Sequence, residues 1–557
     1  MEERFWHKSY PPGIRTSIDY KKITCSGALT RSAEEFPDNV ALDFMGKKIT
    51  FREFDGLVNR FARALQDLGV KEGDRVALIL PNIPQTFFAN LAIMRIGAVA
   101  VQNNPLYSER ELEHQFNNSE SKLAITLTLL LPRILTVMPK TGVKKVIVCH
   151  IHTHLPFPKK QLFPLVKKEM YKKVEPTDEV FVFDDLMKKY SAEPVEDKSS
   201  WEGLATIIYT GGTTGASKGV MLSHKNVCVS IQQFEEWFKE FKAGEGSMVG
   251  TYPIFHSAGF STTMMLMIWK AWEHLVITRP EPKTIIDLLK KHKPLGLPAL
   301  PTIFIGLLND PEFRKLDLSH IKMFISGGAP LAVDTIRELK ELTGSTIIEV
   351  YGSTETAPLI AANPLRGEKK PGTVGLPAPD TDIRIVDTET GEKECATGEP
   401  GEVLVKGPQV MVGYCNDEEE TGKALKGGWY HTGDIGFFDE DGYLTLVDRK
   451  KDLIIASGYN ISPVEIDNIL IDHPKILEAC TVGVPDSYRG ETVKAFIVVK
   501  EGETLTEEEV TNYCKEYLAV YKVPKQIEFM DELPKSVVGK VLRRELRDME
   551  MKRRGKG

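Results

Sequence analysis

The sequence predicts an α/β protein with a large N-terminal domain and a small α+β C-terminal domain. Short apolar runs, typical of buried strands, alternate with helical patterns through the first third of the 557 residues. Strands separated by helices form parallel sheets with right-handed crossovers, so we expect two parallel-type α/β subdomains. From about Pro371, short strands and turns predict a small β-rich subdomain. The length exceeds that of one ordinary core and agrees with several domains.

The first third contains these elements as separate patterns. Apolar residues at helical spacing predict a helix over 51–68, and Gly69 ends it. Further helices are expected through 87–94 and from Ser108. Buried strands are predicted over 75–80, 98–101, 122–127 and 143–148.

A glycine- and threonine-rich stretch follows the predicted strand Leu204–Tyr209 and continues through Lys218 to Gly219. Glycines let successive backbone N–H groups point at an anion, and hydroxyls and a lysine add further donors. The spacing matches neither a Walker loop nor the dinucleotide fingerprint. A polyphosphate cradle is one interpretation and a flexible linker is the other, and the stretch alone does not separate them.

Later segments join strands to polar or flexible side chains. Phe255–Phe260 precedes the apolar, Met-rich run Met264–Trp272. Flexible thioethers suit the wall of an alkyl site, although a plain core helix is the commoner meaning of such a stripe. Met323–Pro330 and Ile347–Glu355 each predict a strand that ends in a tight polar turn, where α/β proteins place ligands.

The domain boundary is predicted at a highly charged segment. The β-rich part contains the strands Asp382–Asp387 and Gly401–Lys406 and closes at Gly428–Asp434. Asp448–Asp452 then breaks the pattern before the last α+β region. We therefore expect an N-terminal domain over 1–448, a hinge over 449–451 and a C-terminal domain over 452–557.

Composition narrows the class of partners. The net charge of −7 argues against broad nucleic-acid binding, which needs a basic field. Seven scattered cysteines agree with reduced thiols. The first residues lack an apolar signal region, and no run of about twenty apolar residues occurs. We expect a cytoplasmic protein, and any membrane contact would be peripheral.

One segment, residues 162–174, carries four lysines among apolar residues. A basic amphipathic helix can lie on an anionic membrane surface, so we expect peripheral membrane contact here as one interpretation. A solvated surface helix is the commoner meaning of such a pattern.

The order of six motifs carries a family resemblance over nearly the whole chain. These motifs are the Gly/Thr loop, Phe-His-Ser-Ala-Gly, Tyr-Gly-Ser-Thr-Glu, Tyr-His-Thr-Gly-Asp, Asp-Arg-Lys-Lys-Asp and Pro-Lys-Ser-Val-Val-Gly-Lys. Together they resemble the acyl-adenylate-forming ligases, and the local matches are most similar to bacterial-type long-chain fatty acyl-CoA ligases. One departure is Ser217, where much of the superfamily has proline before the loop lysine.

The resemblance implies a two-step reaction that uses ATP, Mg²⁺ and coenzyme A. A carboxylate would attack the α-phosphate of ATP to give acyl-AMP, which the CoA thiol would then attack. The implied catalytic residues are Thr354 at the α-phosphate, Glu355 as the magnesium ligand and Lys540 on a mobile C-terminal domain. Thr210 is implied as a second metal contact.

The resemblance also implies the nucleotide and CoA contacts. Tyr351 would stack on adenine, and Asp434 and Arg449 would bind the ribose. Lys451 matches the pivot of the moving domain. The residues implied to bind the phosphates are Thr210, Gly211, Gly212, Thr213, Thr214, Gly215 and Lys218. The residues implied beside Tyr351 at the adenine are Gly328, Ala329, Glu349 and Gly352. The residues implied to line the CoA channel are Gly458, Tyr459 and Asn460.

An acid with an uncharged tail is favoured, because the Phe-His segment lacks the aspartate that amino-acid-activating relatives carry. His256 and Phe260 are the implied substrate contacts, with Phe260 at the gate of an acyl tunnel. Medium-chain and aromatic acids, or a carrier-protein acceptor, stay open. A non-catalytic nucleotide- or lipid-binding protein is the alternative class, and a homodimer is a further expectation.

Overall fold

The chain divides into two compact units. The computed structural model describes residues 3–210, 217–329, 331–345, 347–388, 390–450, 452–456, 459–486, 490–536 and 541–554. The first unit comprises Met1–Pro371, Gly375–Asp382 and Lys406–Tyr430. The second unit comprises Gly372–Val374, Ile383–Val405 and His431–Gly557, and the hinge predicted at 449–451 lies inside it.

The strands are numbered along the chain. They are β1 (Val40–Phe44), β2 (Lys47–Thr50), β3 (Arg75–Ile79), β4 (Val99–Gln102), β5 (Leu123–Leu127), β6 (Lys145–Cys149), β7 (Val180–Val182), β8 (Leu204–Thr210), β9 (Lys218–Ser223), β10 (Ser247–Gly250), β11 (Glu273–Val276), β12 (Gly296–Ala299), β13 (Met323–Gly327), β14 (Ile347–Tyr351), β15 (Ala361–Ala362), β16 (Leu376–Pro377), β17 (Asp382–Val386), β18 (Gly401–Lys406), β19 (Gly413–Tyr414), β20 (Tyr430–Phe438), β21 (Leu444–Arg449), β22 (Ile454–Ala456), β23 (Tyr459–Ile461), β24 (Ile476–Asp486), β25 (Gly490–Val499) and β26 (Gln526–Phe529).

The α-helices are numbered in the same way. They are α1 (Cys25–Glu35), α2 (Phe51–Asp67), α3 (Pro84–Arg95), α4 (Glu109–Asn118), α5 (Leu131–Val137), α6 (Lys159–Val166), α7 (Phe183–Lys189), α8 (His224–Trp237), α9 (Leu266–Trp269), α10 (Pro282–Leu289), α11 (Pro301–Leu308), α12 (Val333–Thr343), α13 (Glu418–Ala424), α14 (Pro463–Ile471), α15 (Glu507–Tyr517) and α16 (Arg543–Arg554).

Two large sheets organise the first unit, which confirms the predicted α/β fold class. One has the order β16-β15-β14-β13-β12-β10-β11-β1-β2 and is parallel from β14 to β1. The other has the order β19-β9-β8-β4-β3-β5-β6-β7 and is parallel from β8 to β7. Strands that are buried on both faces have continuous apolar sequences. Their positions can therefore be predicted from the sequence.

Side-chain caps start several helices where the sequence changes pattern. Thr50 and Glu53 form a capping box at the start of α2, and Ser108 and Glu111 form another at α4. Each box satisfies backbone N–H groups that have no partner inside the helix. These caps account for the predicted helix starts near residues 51 and 108.

The second unit contains two smaller sheets. The four-stranded sheet has the order β17-β18-β20-β21, and the five-stranded sheet has the order β23-β22-β25-β24 with β26 beside β25. Alternate residues of β25 enter different cores: Ala495 packs with α14 and α15, whereas Phe496 packs with Leu546 of α16. Successive side chains of a strand point to opposite faces of the sheet, so β25 packs against α14 and α15 on one face and against α16 on the other.

Two predicted helical segments differ in detail from the structure. The Met-rich run begins inside a π-helix, Ala258–Met265, and continues as the short α9. The basic segment 162–174 is not one helix, because α6 ends at Val166 and Lys167 leaves helical geometry. A short 3₁₀ turn, Lys168–Met170, follows it.

Two expectations about the environment can be compared with the structure. All seven cysteines carry free thiols, as their scattered spacing predicts. Over the described ranges, no helix combines the length and hydropathy needed to cross a bilayer.

Candidate active site

The two ends of the predicted phosphate loop are neighbours in the eight-stranded sheet. Thr210 closes β8 and Lys218 opens β9, and the two residues pair directly across the antiparallel ladder. The carbonyl of Lys218 accepts a 3.5 Å hydrogen bond from the Thr210 hydroxyl. The two predicted donors that flank the loop therefore lie side by side, at the end of β8 and at the start of β9.

Lys218 has a carboxylate partner within its own unit. Its Nζ pairs with Glu420 of α13 and lies 5.1 Å from the ring centroid of Tyr414. The ion pair with Lys218, followed by one with Lys423, lowers the pKa of Glu420 to about 2. The lysine ammonium is thus held between a carboxylate and an aromatic face.

Glu355, the predicted magnesium ligand, is buried at the end of the nine-stranded sheet. It lies in the 3₁₀ turn Thr354–Thr356, just after β14. Its Oε1 accepts a 2.9 Å hydrogen bond from the Tyr414 hydroxyl. Burial, followed by the Glu355 charge, raises the pKa of Tyr414 above its usual range, so the hydroxyl remains a donor.

The donor set around Glu355 is compatible with Mg²⁺. In the described part of the chain, no three His, Cys, Asp or Glu side chains are grouped to hold a metal. Mg²⁺ at nucleotide sites takes one or two carboxylates together with phosphate and water oxygens, so a single buried carboxylate is sufficient. The one hydrogen bond from Tyr414 leaves the Glu355 carboxylate with remaining acceptor capacity.

Two of the sequence motifs meet at Thr354. Its hydroxyl lies 3.1 Å from the hydroxyl of Ser257, and both residues are buried. Ser257 immediately precedes the π-helix, so the predicted α-phosphate contact adjoins the predicted acyl segment. π-Helical turns are rare and occur often at functional sites.

The two predicted substrate residues belong to this same turn. His256 is half-buried, and its carbonyl accepts a 2.8 Å hydrogen bond from the backbone N–H of Phe260. The Phe260 side chain is fully buried. The segment predicted to contact the acyl chain therefore begins next to Thr354.

The predicted adenine residues lie at the ends of adjacent parallel strands. β13 and β14 pair with Gly327 opposite Val350, so Gly328 and Tyr351 follow at neighbouring positions. Gly328 has φ +84°, a conformation that favours glycine, and Tyr351 is largely buried. Ala329 is half-buried beyond Gly328, and Glu349 is half-buried on β14.

Gly352 is required by a close backbone approach. A Cβ at this position would lie 1.4 Å from the carbonyl oxygen of Pro358. Any side chain would therefore push the Tyr351–Glu355 segment away from its present course. The glycine serves the shape of the motif, irrespective of any contact with a ligand.

The predicted ribose residues form a cross-strand pair within the second unit. Asp434 on β20 is opposite Arg449 on β21, with 3.0 Å between Oδ1 of the aspartate and Nε of the arginine. The Asp434 backbone N–H donates to the Thr432 hydroxyl at 3.0 Å. The carboxylate is buried, while the arginine is partly exposed.

Several predicted residues lie outside the described residues, and the structure does not test them. They are Gly211, Gly212, Thr213, Thr214, Gly215, Lys451, Gly458 and Lys540. Tyr459 and Asn460 belong to β23, where their backbones pair with Ala456 and Ile455.

Two residues that contact the predicted site have no local sequence signal. Tyr414 and Glu420 follow the β-rich segments, far along the chain from Glu355 and Lys218. They reach the site because β19 pairs with β9, with Tyr414 opposite Val220. Sheet pairing of this kind is a tertiary property and does not follow from a single motif.

The chain is similar to known proteins over nearly its whole length. Residues 29–415 match the AMP-binding enzyme family, and residues 465–540 match the AMP-binding enzyme C-terminal domain. The long-chain-fatty-acid–CoA ligase of Bacillus subtilis strain 168 is 41% identical over 553 residues, which is 99% of each chain. The corresponding ligase of Escherichia coli O157:H7 is 38% identical over 98% of each chain.

Solved structures of similar fold include two with bound nucleotide or adenylate. ATP-bound MatB from Rhodopseudomonas palustris has a TM-score of 0.83 and 30% identity, over 95% of this chain and 99% of that one. The anthranilate CoA ligase AuaEII, in complex with anthranoyl-AMP, has a TM-score of 0.85 and 25% identity, over 96% and 98%. The chain therefore belongs to the AMP-binding enzyme family.

Proposed function

We propose that this protein is an ATP-dependent fatty acid:CoA ligase that favours long-chain acids. The observation that carries the proposal is the 3.1 Å contact between Thr354 and Ser257, which joins the predicted phosphate and acyl segments. Full-length identity to long-chain-fatty-acid–CoA ligases supports it. The reaction would join acid and ATP as acyl-AMP with loss of pyrophosphate, and then transfer the acyl group to CoA with loss of AMP.

The first half-reaction would depend mainly on positioning and charge neutralisation. Lys218 and the loop 210–215 would bind the β- and γ-phosphates, and Thr354 would donate to the α-phosphate. Glu355, with Thr210 as a second contact, would hold Mg²⁺, which when bound offsets the phosphate charge. The acid would approach from the side of Ser257, and pyrophosphate would leave toward the loop.

The adenosine contacts would come from two groups of residues, one for adenine and one for ribose. Tyr351 would stack on adenine beside Gly328 and Ala329, with Glu349 and Gly352 in the same segment. Asp434 would accept both ribose hydroxyls, a task suited to a carboxylate, and Arg449 would reach the same sugar.

The second half-reaction would need the C-terminal domain to turn. Lys540 would offset the repulsion between the acid and the α-phosphate during adenylation. It would then withdraw by rotation about residues 449–451, with Lys451 as the pivot between domains 1–448 and 452–557. Gly458, Tyr459 and Asn460 would then line the CoA channel.

The acyl tail would lie along the π-helix behind Phe260. Each additional buried methylene contributes about 0.8 kcal/mol, so a long apolar channel favours long chains. The alternatives are a medium-chain or aromatic acid:CoA ligase and a ligase that loads a carrier protein. A non-catalytic binding protein is disfavoured, because a binder has no need of a lysine placed to neutralise a reacting phosphate.

ATP–pyrophosphate exchange across acids of graded length tests the proposal directly. We expect exchange that depends on acid and Mg²⁺ and rises from octanoate to palmitate. A parallel assay with CoA, pantetheine and carrier protein identifies the acceptor. Absence of exchange with every acid would refute the proposed activity.

We also propose peripheral membrane contact by residues 162–174 and the turn before them. Six lysines and one glutamate give residues 157–173 a net charge of +5, in a chain whose net charge is −7. Exposed apolar side chains accompany them, with exposed fractions of 82% at Phe157, 67% at Leu165 and 69% at Val166. Apolar side chains next to lysines match an anionic lipid surface.

Flotation with vesicles tests this surface. We expect binding to vesicles that contain phosphatidylglycerol, and much weaker binding to pure phosphatidylcholine. Changing Lys167, Lys168, Lys172 and Lys173 to glutamate should abolish binding. The matched control changes four exposed lysines elsewhere to glutamate, namely Lys71, Lys291, Lys500 and Lys515. If both variants lost vesicle binding equally, the binding would depend on net charge alone. That result would contradict the assignment of residues 162–174 as the membrane contact.

The remaining proposals concern location and assembly. A cytoplasmic protein with reversible membrane contact would fractionate with the cytosol at high salt, because salt screens the lysines. A homodimer would give twice the 62.4 kDa chain mass in light scattering.

A further inference from the structure

Lys218 has an acidic partner that competes with its predicted ligand. The Nζ group pairs with Glu420, which lies in the first turn of the short helix α13. Both side chains are about one-third exposed, so ATP phosphates have access to the same ammonium. A lysine ammonium is a compact point charge on a flexible stem and can exchange one anionic partner for another.

Tyr414 connects this ion pair to Glu355. Its ring lies under the Lys218 ammonium, with 5.1 Å from Nζ to the ring centroid. Its hydroxyl donates to Oε1 of Glu355 at 2.9 Å. One side chain therefore contacts the predicted phosphate lysine and the predicted magnesium carboxylate together.

The backbone fixes Tyr414 from two directions. Its strand β19 pairs with β9 directly after Lys218, which ties it to the lysine's own strand. Its backbone N–H donates to the Thr421 hydroxyl at 2.8 Å, and that hydroxyl donates to the Asp417 carbonyl at 2.7 Å. The start of α13, which carries Glu420, is thereby attached to the same tyrosine.

We propose that Glu420 is the resting counter-ion of Lys218, which the ATP phosphates displace, and that Tyr414 is a positioning residue for Lys218 and Glu355. The inference rests on the proposed function, since it takes the phosphate and magnesium roles of these two residues from there. Before ATP binds, Glu420 keeps the lysine paired. On binding, the ammonium turns to the phosphates while its stem stays over the Tyr414 ring.

Glu420→Gln tests the counter-ion role, because glutamine keeps the size of the side chain and removes its charge. The dissociation constant for ATP, measured by calorimetry without acid or CoA, should fall by roughly two- to fivefold, the range expected for a partly exposed ion pair. The matched control is Glu419→Gln, since Glu419 pairs with Lys423 and not with Lys218 in the structure. Unchanged or weaker ATP binding in Glu420→Gln would overturn the counter-ion role.

Tyr414→Phe tests the positioning role, because it removes only the hydroxyl. Loss of a hydrogen bond to a metal ligand lowers metal affinity by roughly 10–100-fold. We expect the Mg²⁺ concentration for half-maximal ATP binding in calorimetry to rise within that range, while ATP binding without metal stays the same. The control is Tyr20→Phe, since Tyr20 also donates to a carboxylate, Asp380, at 2.8 Å.

The outcomes separate this inference from the proposed function. An unchanged Mg²⁺ requirement in Tyr414→Phe would overturn the positioning role even where wild-type exchange is normal. Wild-type protein without exchange for any acid would refute the ligase proposal, whereas the calorimetric comparisons need no acid. If Glu420→Gln and Tyr414→Phe both lowered the melting temperature and left ATP and Mg²⁺ binding unchanged, both residues would have structural roles only. That result would overturn the inference.

Discussion

Asp434 and Arg449 face each other across a β-hairpin, and their charged groups lie 3.0 Å apart. We propose that the arginine orients the buried carboxylate for the ribose hydroxyls. Hydrogen bonds to a charged group contribute about 1.5–3 kcal/mol each, so Asp434→Ala should raise the KM for ATP by roughly 10–100-fold. The acid KM should change little.

The control for this variant is Asp531→Ala, an exposed aspartate of the same unit. Steady-state kinetics with ATP as the varied substrate gives the measurement. An equal rise in the KM for ATP and for the acid would argue against a ribose contact.

Phe260→Ala should change chain-length selection. The side chain is fully buried, so its loss should lower the free energy of unfolding by about 3–5 kcal/mol. It should also lower kcat/KM for palmitate more than for octanoate, because the longer chain loses more apolar contact. Phe304→Ala removes an equally buried ring from a separate core cluster and serves as the control. If the ratio of kcat/KM for palmitate to kcat/KM for octanoate were the same in Phe260→Ala and Phe304→Ala, Phe260 would not act as the gate.

Lys540→Ala should separate the two half-reactions. We expect loss of acid-dependent ATP–pyrophosphate exchange, because the charge that offsets two anions is missing. Transfer from supplied acyl-AMP to CoA should continue. Lys500→Ala, an exposed lysine of the same unit, is the control. Normal exchange in Lys540→Ala would exclude the proposed role.

Lys451→Pro should impair the second half-reaction. Proline restricts φ to about −65° and so limits rotation at the predicted pivot. Exchange should continue while thioester formation slows, and the exchange assay in the same variant is its own control. Equal loss of both activities would contradict a hinge at this position.

A buried histidine should make stability depend on pH. Burial lowers the pKa of His274 to about 3, and no hydrogen-bond partner for either ring nitrogen lies among the described residues. In the unfolded chain the group takes up a proton near pH 6.5, so folding stability falls as the pH drops from about 6.5 toward 3. The contribution is at most about 1.4 kcal/mol per pH unit.

His274→Leu removes this titration. The slope of melting temperature against pH, measured between pH 5 and 6.5, should become shallower than in the wild type, because in this range the unfolded His274 binds roughly half a proton to one proton that the folded His274 does not bind. The ring packs edge-on against Phe87 at 4.8 Å, so some loss of stability at neutral pH is also expected. An unchanged slope would mean that His274 does not titrate on unfolding.

The sequence pattern predicts most of the elements that position the site. The strand expected over 204–209 is observed as Leu204–Thr210, and the helix expected over 51–68 is observed as Phe51–Asp67. Buried strands and capped helices carry local signals, which is why these bounds agree closely. The π-helix at Ala258–Met265 carries no such signal, because its composition is equally suited to an α-helix.

The site is predictable to the extent that its residues lie in ordered motifs. Thr354 and Glu355 fall in one motif, and both are buried. Tyr414 and Glu420 come to Lys218 through strand pairing between β9 and β19, and that pairing is set by the whole sheet. Contacts of this kind depend on topology, which a single sequence without its fold does not specify.

The buried carboxylate of Asp448 accepts hydrogen bonds from the Ser462 hydroxyl at 2.9 Å and the Val464 N–H at 3.1 Å. Asp448 precedes the proposed pivot, and the other two residues follow it at the start of α14. The proposed rotation about Lys451 would break these hydrogen bonds if it separated Asp448 from the start of α14, and it would then expose the buried carboxylate to water. The proposed rotation would then switch between two discrete arrangements instead of varying continuously, and the strength of these hydrogen bonds would set how long each arrangement persists.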